Sequence, residues 1–225
     1  TDTFEKLVYH MDEPGAGPGL FPQFMVSKLA AEQVKVVLGG QGGDEIFGGY
    51  ARYAVAYLEQ CLKGAIFESQ EEGSHVVTLN SIIENLPMLK QYLPMMKNQF
   101  AGGMFDAMDK RYFRLIDRSP NLHTMYDGDF LNQRNEENIA GKFEKIFNNV
   151  ETSSYFNKMT YYDMKTLLPS LLQVEDRVSM AVSLESRVPI LDRRIVELAA
   201  SMPPTMKFAG GRTKHMLIES VKNVL

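Results

Sequence analysis

Asp44 and Glu45 follow four glycines packed into five positions, Gly39-Gly40-Gln41-Gly42-Gly43. Glycines remove the side chains that would keep backbone N–H groups away from a phosphate. An acid just past such a run is placed to hold a divalent cation on those phosphates. The chemistry indicated is therefore nucleotide phosphate binding with a metal. The run is not a P-loop, since no Gly-Lys-Ser/Thr follows, and no GxGxxG register here also opens a long helix. A tight turn would also use glycines, and Asp44 at a helix start could serve as an N-cap accepting backbone N–H bonds. Both roles coexist only if one carboxylate oxygen stays free for metal.

The elements around this loop give it its meaning. Residues 34–38, VKVVL, predict a buried parallel strand entering the loop. A helix then runs through Arg52, Tyr53, Val55, Leu58 and Leu62. Open α/β sheets bind nucleotides at the carboxyl ends of their strands, where such loops lie. Upstream, residues 2–11 predict a short helix ending at Asp12-Glu13-Pro14, residues 14–22 a Gly/Pro loop, and residues 23–32 an amphipathic helix. Residues 68–75 read as a polar connection. The pattern beyond is helical and Met-rich, with breaks at Pro87 and Pro94, a polar stretch over 120–138 and a helix over 139–148. Thr160 to Leu168 predict a helix stopped by Pro169, followed by helices over 170–186, Arg193 to Ser201 and 211–225. One strand among so many helices is odd, because a parallel strand needs neighbours. The expectation is that the other strands precede Thr1 in a longer protein. A bare strand edge and apolar surface would then favour self-association into a homo-oligomer.

Two further segments carry charge in apolar surroundings. In 167–192, Glu175, Asp176, Arg177, Glu185 and Arg187 interrupt a leucine- and valine-rich helix pattern. Buried charges are costly unless paired, so these residues are expected in ion pairs or at a ligand. Arg187 precedes Val188-Pro189, which forces extended backbone and aims the guanidinium at a phosphate or at Glu185. In 203–219, a Gly210-Gly211 turn leads to Lys214 in the first turns of the last helix. Cations are poorly suited to that end of a helix, which hints at phosphate oxygens, although a solvated surface lysine is the plain alternative. Cys61 has no His or Asn nearby to activate it and reads as packing. His10, His75, His123 and His215 show no mutual ligand spacing. Asp12 and Glu13 read equally as a helix stop or as carboxylates at the mouth of a site.

Composition limits the rest. Apolar residues make up 44% and charged residues 23%, which is ordinary for a globular chain of 225 residues. A net charge of −4 gives no basic surface for nucleic acid. A single cysteine excludes an internal disulfide and fits a reducing, cytoplasmic setting. No apolar run approaches the ~20 residues of a membrane span. The opening TDTFEKLVYH does not read as a signal peptide, and its lack of an initiator Met points to a processed or excised chain.

Together these segments resemble the synthetase domain of glutamine-dependent asparagine synthetases. That family shows Ser-Gly-Glu-Gly-Ala/Ser-Asp-Glu-Phe-Gly-Gly-Tyr after a strand, against Gly39 to Tyr50 here. Its Asp-Arg-x-Ser-Met-Ala-x-Ser-Leu-Glu-x-Arg-Val-Pro-x-Leu-Asp stretch matches Asp176 to Asp192. Its closing lysine motif matches Lys207 and Lys214, and Asp12-Glu13-Pro14 is also similar. Residues 76–158 match only in helical character.

The resemblance implies an α/β, predominantly helical piece of an adenine-nucleotide alpha-hydrolase-like (ATP-pyrophosphatase) doubly wound domain. It implies ATP and Mg2+, with aspartate and glutamine-derived ammonia as the small-molecule partners, by way of an aspartyl-adenylate. It carries Asp44 over as the metal-binding acid, and Gly39, Gly40 and Gly42 as positions lining the nucleotide. Lys214 falls at the reacting phosphates and Gln41 in the amidation half. The family often has Glu at 41; Gln hydrogen-bonds but takes no proton. Gly at 39 lacks the family's hydroxyl. The pyrophosphate loop Ser-Gly-Gly-x-Asp-Ser and the cysteine-initiated glutaminase domain do not occur in these residues, and both are expected upstream. Two other readings stay open: a related ligase acting on another carboxylate, including a β-lactam-forming one, and a non-catalytic helical module that packs against a partner.

Overall fold

The computed structural model describes residues 2–14, 17–67, 80–117, 124–133, 136–209 and 212–224. In chain order its elements are α1 (Asp2–Met11), α2 (Leu20–Ala31), β1 (Val36–Leu38), α3 (Gly43–Phe47), α4 (Ala51–Phe67), α5 (Asn80–Ile83), α6 (Leu86–Leu89), α7 (Leu93–Ala101), α8 (Met108–Ile116), α9 (Gly128–Asn132), α10 (Glu136–Phe147), α11 (Tyr155–Lys165), α12 (Leu167–Met180), β2 (Glu185–Arg187), α13 (Arg193–Ser201), α14 (Pro204–Lys207) and α15 (His215–Val221). The class is mostly helical α/β. No helix among the described residues is long and apolar enough to cross a membrane. The chain divides into two compact units, Thr1–Ile46 with Asp163–Ser201, and Phe47–Tyr162 with Met202–Leu225.

In the first unit, α1, α2 and α12 close on Leu7, Met11, Phe24, Val174 and Val178. Leu7 and Met11 lie four apart on α1, as do Val174 and Val178 on α12, so each helix presents one apolar stripe. The amide of Gln173 donates to the Met11 carbonyl at 3.3 Å and secures the end of α1.

The strand expected at 34–38 is β1, but it has a partner within the chain. β2 runs parallel to it, with Val36, Val37 and Leu38 opposite Glu185, Ser186 and Arg187. This overturns the helix expected over 170–186. The helix stops at Met180, and Ser183 takes a left-handed φ of 58°, which a continuing helix does not tolerate. Glu-Ser-Arg has little β-propensity, so nothing in its composition announced a strand. The buried character expected of β1 is also corrected: Val36 and Leu38 are 41% and 74% exposed, and only Val37 between them is half-buried.

The prolines are starts rather than breaks. Pro22, Pro87, Pro94 and Pro169 lie in the first turns of α2, α6, α7 and α12. There the missing N–H has no intrahelical partner to lose. Accordingly the 14–22 loop ends at Gly19, and the break expected at Pro169 falls at Thr166.

The second unit is built on α4, buried at every position from Tyr53 to Cys61. A helix buried on every side belongs in a core. Tyr57 stacks on Phe208, and Phe156 meets both Tyr53 and Phe208 edge-on. Gly48, at φ +75°, lies where a Cβ would come within 3.0 Å of Phe156 and 3.2 Å of Phe208. Cys61 is buried and in no disulfide, in keeping with a packing role. The core also encloses an ion pair between Glu59 and Arg111, 1% and 0% exposed. The polar connection over 68–75, His75, His123 and the Gly210-Gly211 turn lie outside the described residues.

Candidate functional site

The glycine loop leaves β1 still tied to its neighbour strand. Gly39 N–H donates to the Arg187 carbonyl at 2.7 Å, continuing the ladder by one residue. Gly42 has φ +90°, and its carbonyl accepts the Ile46 N–H at 2.9 Å, so it opens α3. Asp44 is consequently the second residue of that helix and not its N-cap; that position belongs to Gly42. Asp44 and Gln41 are half-buried, whereas Glu45 is buried.

Three of the loop glycines differ in what surrounds them. A Cβ on Gly39 would overlap Glu175 Oε1 and lie 3.1 Å from its Cδ. A Cβ on Gly42 would overlap the Leu191 side chain. Gly40 has nothing within 4 Å of that position and is exposed, leaving its backbone open to solvent. Glu175 and Leu191 thus bring the second charged segment onto the first, inside one unit.

Of the charges singled out in 167–192, Glu175 alone is buried, with one oxygen accepting the Ser186 hydroxyl. Arg187 turns to Glu185 at 2.7 Å, one of its two expected targets. Arg177 pairs with Asp12 at 3.3 Å, and Asp12 itself sits at φ 58°. Asp12 and Glu13 line a cleft of 490 Å³ with α1 and α2 residues such as Phe4, Val8 and Phe21. Asp192 accepts both the side chain and the backbone N–H of Arg194, which hold its carboxyl down at about 2.

Among the described residues no group of three or more His, Cys, Asp or Glu could hold a metal. Magnesium is usually bound through one or two carboxylates plus substrate phosphates and water. Asp44, four residues after the exposed Gly40, fits that mode and does not fit an all-protein cage.

Residues 1–225 match the family model for asparagine synthase from end to end. The chain belongs to the asparagine synthase family. It is 28% identical over 229 residues to asparagine synthetase [glutamine-hydrolyzing] 1 of Bacillus subtilis, covering 98% of this chain and 33% of that protein. A putative asparagine synthetase of Mycobacterium bovis is likewise 28% identical, over 98% of this chain and 32% of its own length. Amidase chry2 of Gibberella zeae is 24% identical over 88% of this chain and 31% of its own. The chain therefore spans about a third of the length of these relatives. No solved structure matches it significantly.

The closing lysines lie in the second unit. Lys214 is not in the first turns of the last helix, as expected, but is its half-buried N-cap, at a left-handed φ of 54°. The helix itself is short, His215–Val221, and His215 keeps Nδ1 buried without a hydrogen bond. Lys207 is 2% exposed, its ammonium 5.1 Å from the centre of the Phe156 ring. Burial pulls its pKa down to about 8. Its burial, and the contacts of Glu175 with Gly39 and Ser186, were not read from the sequence. The signal for Glu175 was present: it shares a helix face with Val178 and Ser179, both buried.

Proposed function

We propose that the intact protein makes asparagine from aspartate and ammonia at the expense of ATP, in a domain of adenine-nucleotide alpha-hydrolase-like type. The observation that carries this reading is the glycine loop at the carboxyl end of the parallel β1–β2 pair, with Asp44 in the first turn after it. In this reading an oxygen of the aspartate side-chain carboxylate attacks the α-phosphorus of ATP, and pyrophosphate leaves with the bridging electron pair. Ammonia nitrogen then attacks the acyl carbon, a proton is lost to solvent, and AMP departs. Backbone amides at Gly39, Gly40 and Gly42 approach the nucleotide. Asp44 would hold Mg2+, whose role is to neutralise phosphate charge. Lys214 stabilises charge on the reacting phosphates. Gln41 orients the attacking nitrogen by hydrogen bonding and leaves its proton to another acceptor. The sequence before Thr1 supplies the pyrophosphate loop, further strands and a glutaminase domain that releases the ammonia.

The test is aspartate-dependent exchange of labelled pyrophosphate into ATP by the intact protein, followed by amide formation when ammonium is added. Absence of exchange with aspartate refutes this reading. Gln41 favours a second: amidation of another carboxylic acid. Exchange supported by a different acid selects it.

A further inference from the structure

Glu175 is 8% exposed, set in α12 between Val174 and the buried pair Val178 and Ser179. One carboxylate oxygen accepts the Ser186 hydroxyl. The other meets no hydrogen-bond donor among the described residues, and no Lys, Arg or His pairs with this carboxylate there. That second oxygen is not among the fully enclosed polar atoms, so it stays open to a donor from outside the chain. The same Oε1 fills the space in which a side chain at Gly39 would begin. The carboxylate therefore borders the backbone of the glycine loop directly.

A carboxylate only accepts hydrogen bonds, so its complement carries N–H donors and positive charge. A bound metal fits poorly, since no further carboxylate or imidazole gathers around it among the described residues. A phosphate would be repelled by its charge. We propose that Glu175 is a further binding residue of the glycine-loop site and receives a substrate ammonium group, either free ammonium or the α-ammonium of the amino-acid substrate. This rests on the reading given under Proposed function.

Glu175→Gln and Glu175→Asp in the intact protein test it. The measurements are KM and kcat for ammonium in amide formation, KM for aspartate in pyrophosphate exchange, and KM for ATP. Loss of a charge-assisted hydrogen bond predicts a rise of about tenfold or more in one of the first two KM values for Glu175→Gln. KM for ATP should hold, and Glu175→Asp should recover part of the loss. A higher KM for ammonium assigns free ammonium; a higher KM for aspartate assigns the α-ammonium. Unchanged values for both, or an equal loss for ATP, overturn the proposal. Should the wild-type protein show no exchange with any carboxylic acid, the proposed function itself fails. Thermal unfolding in methylammonium chloride against sodium chloride at equal ionic strength then decides on Glu175. A Tm rise specific to methylammonium and absent in Glu175→Gln supports its role; identical responses of the two proteins overturn it.

Discussion

Gly42 and Leu191 claim the same space: a Cβ on Gly42 would stand 2.8 Å from Leu191 Cγ. The contact joins the glycine loop to the Val-Pro-Ile-Leu-Asp segment more than a hundred residues later in the chain. Gly42→Ala must therefore meet two costs, a left-handed φ and an overfilled contact. We expect it to lower unfolding free energy by about 2–4 kcal/mol in urea titrations. Leu191→Ala added to it should restore the packing part alone, so the double variant should be less unstable than the two single losses summed. Strict additivity would mean the two residues do not meet.

Arg111 and Glu59 test a different kind of contact. Glu59 also accepts the Phe105 N–H at 2.8 Å, and Phe105 holds a left-handed φ of 66°. The Arg111 guanidinium lies 5.0 Å from the centre of the Tyr155 ring. Arg111→Met leaves a buried carboxylate without its counter-charge and should cost about 3–5 kcal/mol. Pairing it with Glu59→Gln should recover much of that loss, because no charge then remains buried. Chemical denaturation of the two single variants and the double variant measures the coupling.

Lys207 should make stability rise with pH on the alkaline side. Its pKa is about 8 in the folded protein against 10.5 as the ordinary value. Between these values the unfolded chain holds a proton that the folded chain has lost, so raising pH favours folding. Below pH 8 both states are protonated, and the folded state carries the full cost of a buried ammonium, on the order of 3 kcal/mol. Lys207→Met removes that cost. Its stability advantage should be largest at pH 7 and shrink toward pH 10.5 in urea titrations at stepped pH. A pH-independent difference would show that the ammonium is not desolvated.

Lys214 allows function to be separated from folding. A left-handed lysine is strained by roughly 1 kcal/mol, and glycine relieves that strain. Glycine is also acceptable as an N-cap. Lys214→Gly should thus gain about that much stability, while aspartate-dependent pyrophosphate exchange by the intact protein falls by a hundredfold or more if its ammonium stabilises the reacting phosphates. Equal exchange activity in the two proteins would leave Lys214 only the structural role of a strained helix start.

Much of this chain follows from local rules that need no partner. Periodic apolar positions set the extents of α1 and α13 and the presence of α4, and Val-rich residues before a glycine run give a strand that ends in a loop. The ordered motifs around Gly39 to Tyr50, Asp176 to Asp192 and Lys214 marked the asparagine synthase family, because backbone clearance and charge placement leave a trace in residue type. What is set by distant neighbours left no such trace. β2 has three residues, too few for a period, and its Glu and Arg become a strand because Lys35 and Gly39 supply hydrogen-bond partners. Pro87 and Pro94 look the same in sequence whether they break a helix or begin one. Glu175 and Lys207 are ordinary charged residues until Gly39 and Ser186 close over the one and Phe156 over the other. Local geometry is encoded by near neighbours in the chain; burial, and with it the behaviour of a charge, is conferred by residues brought together only when the chain folds.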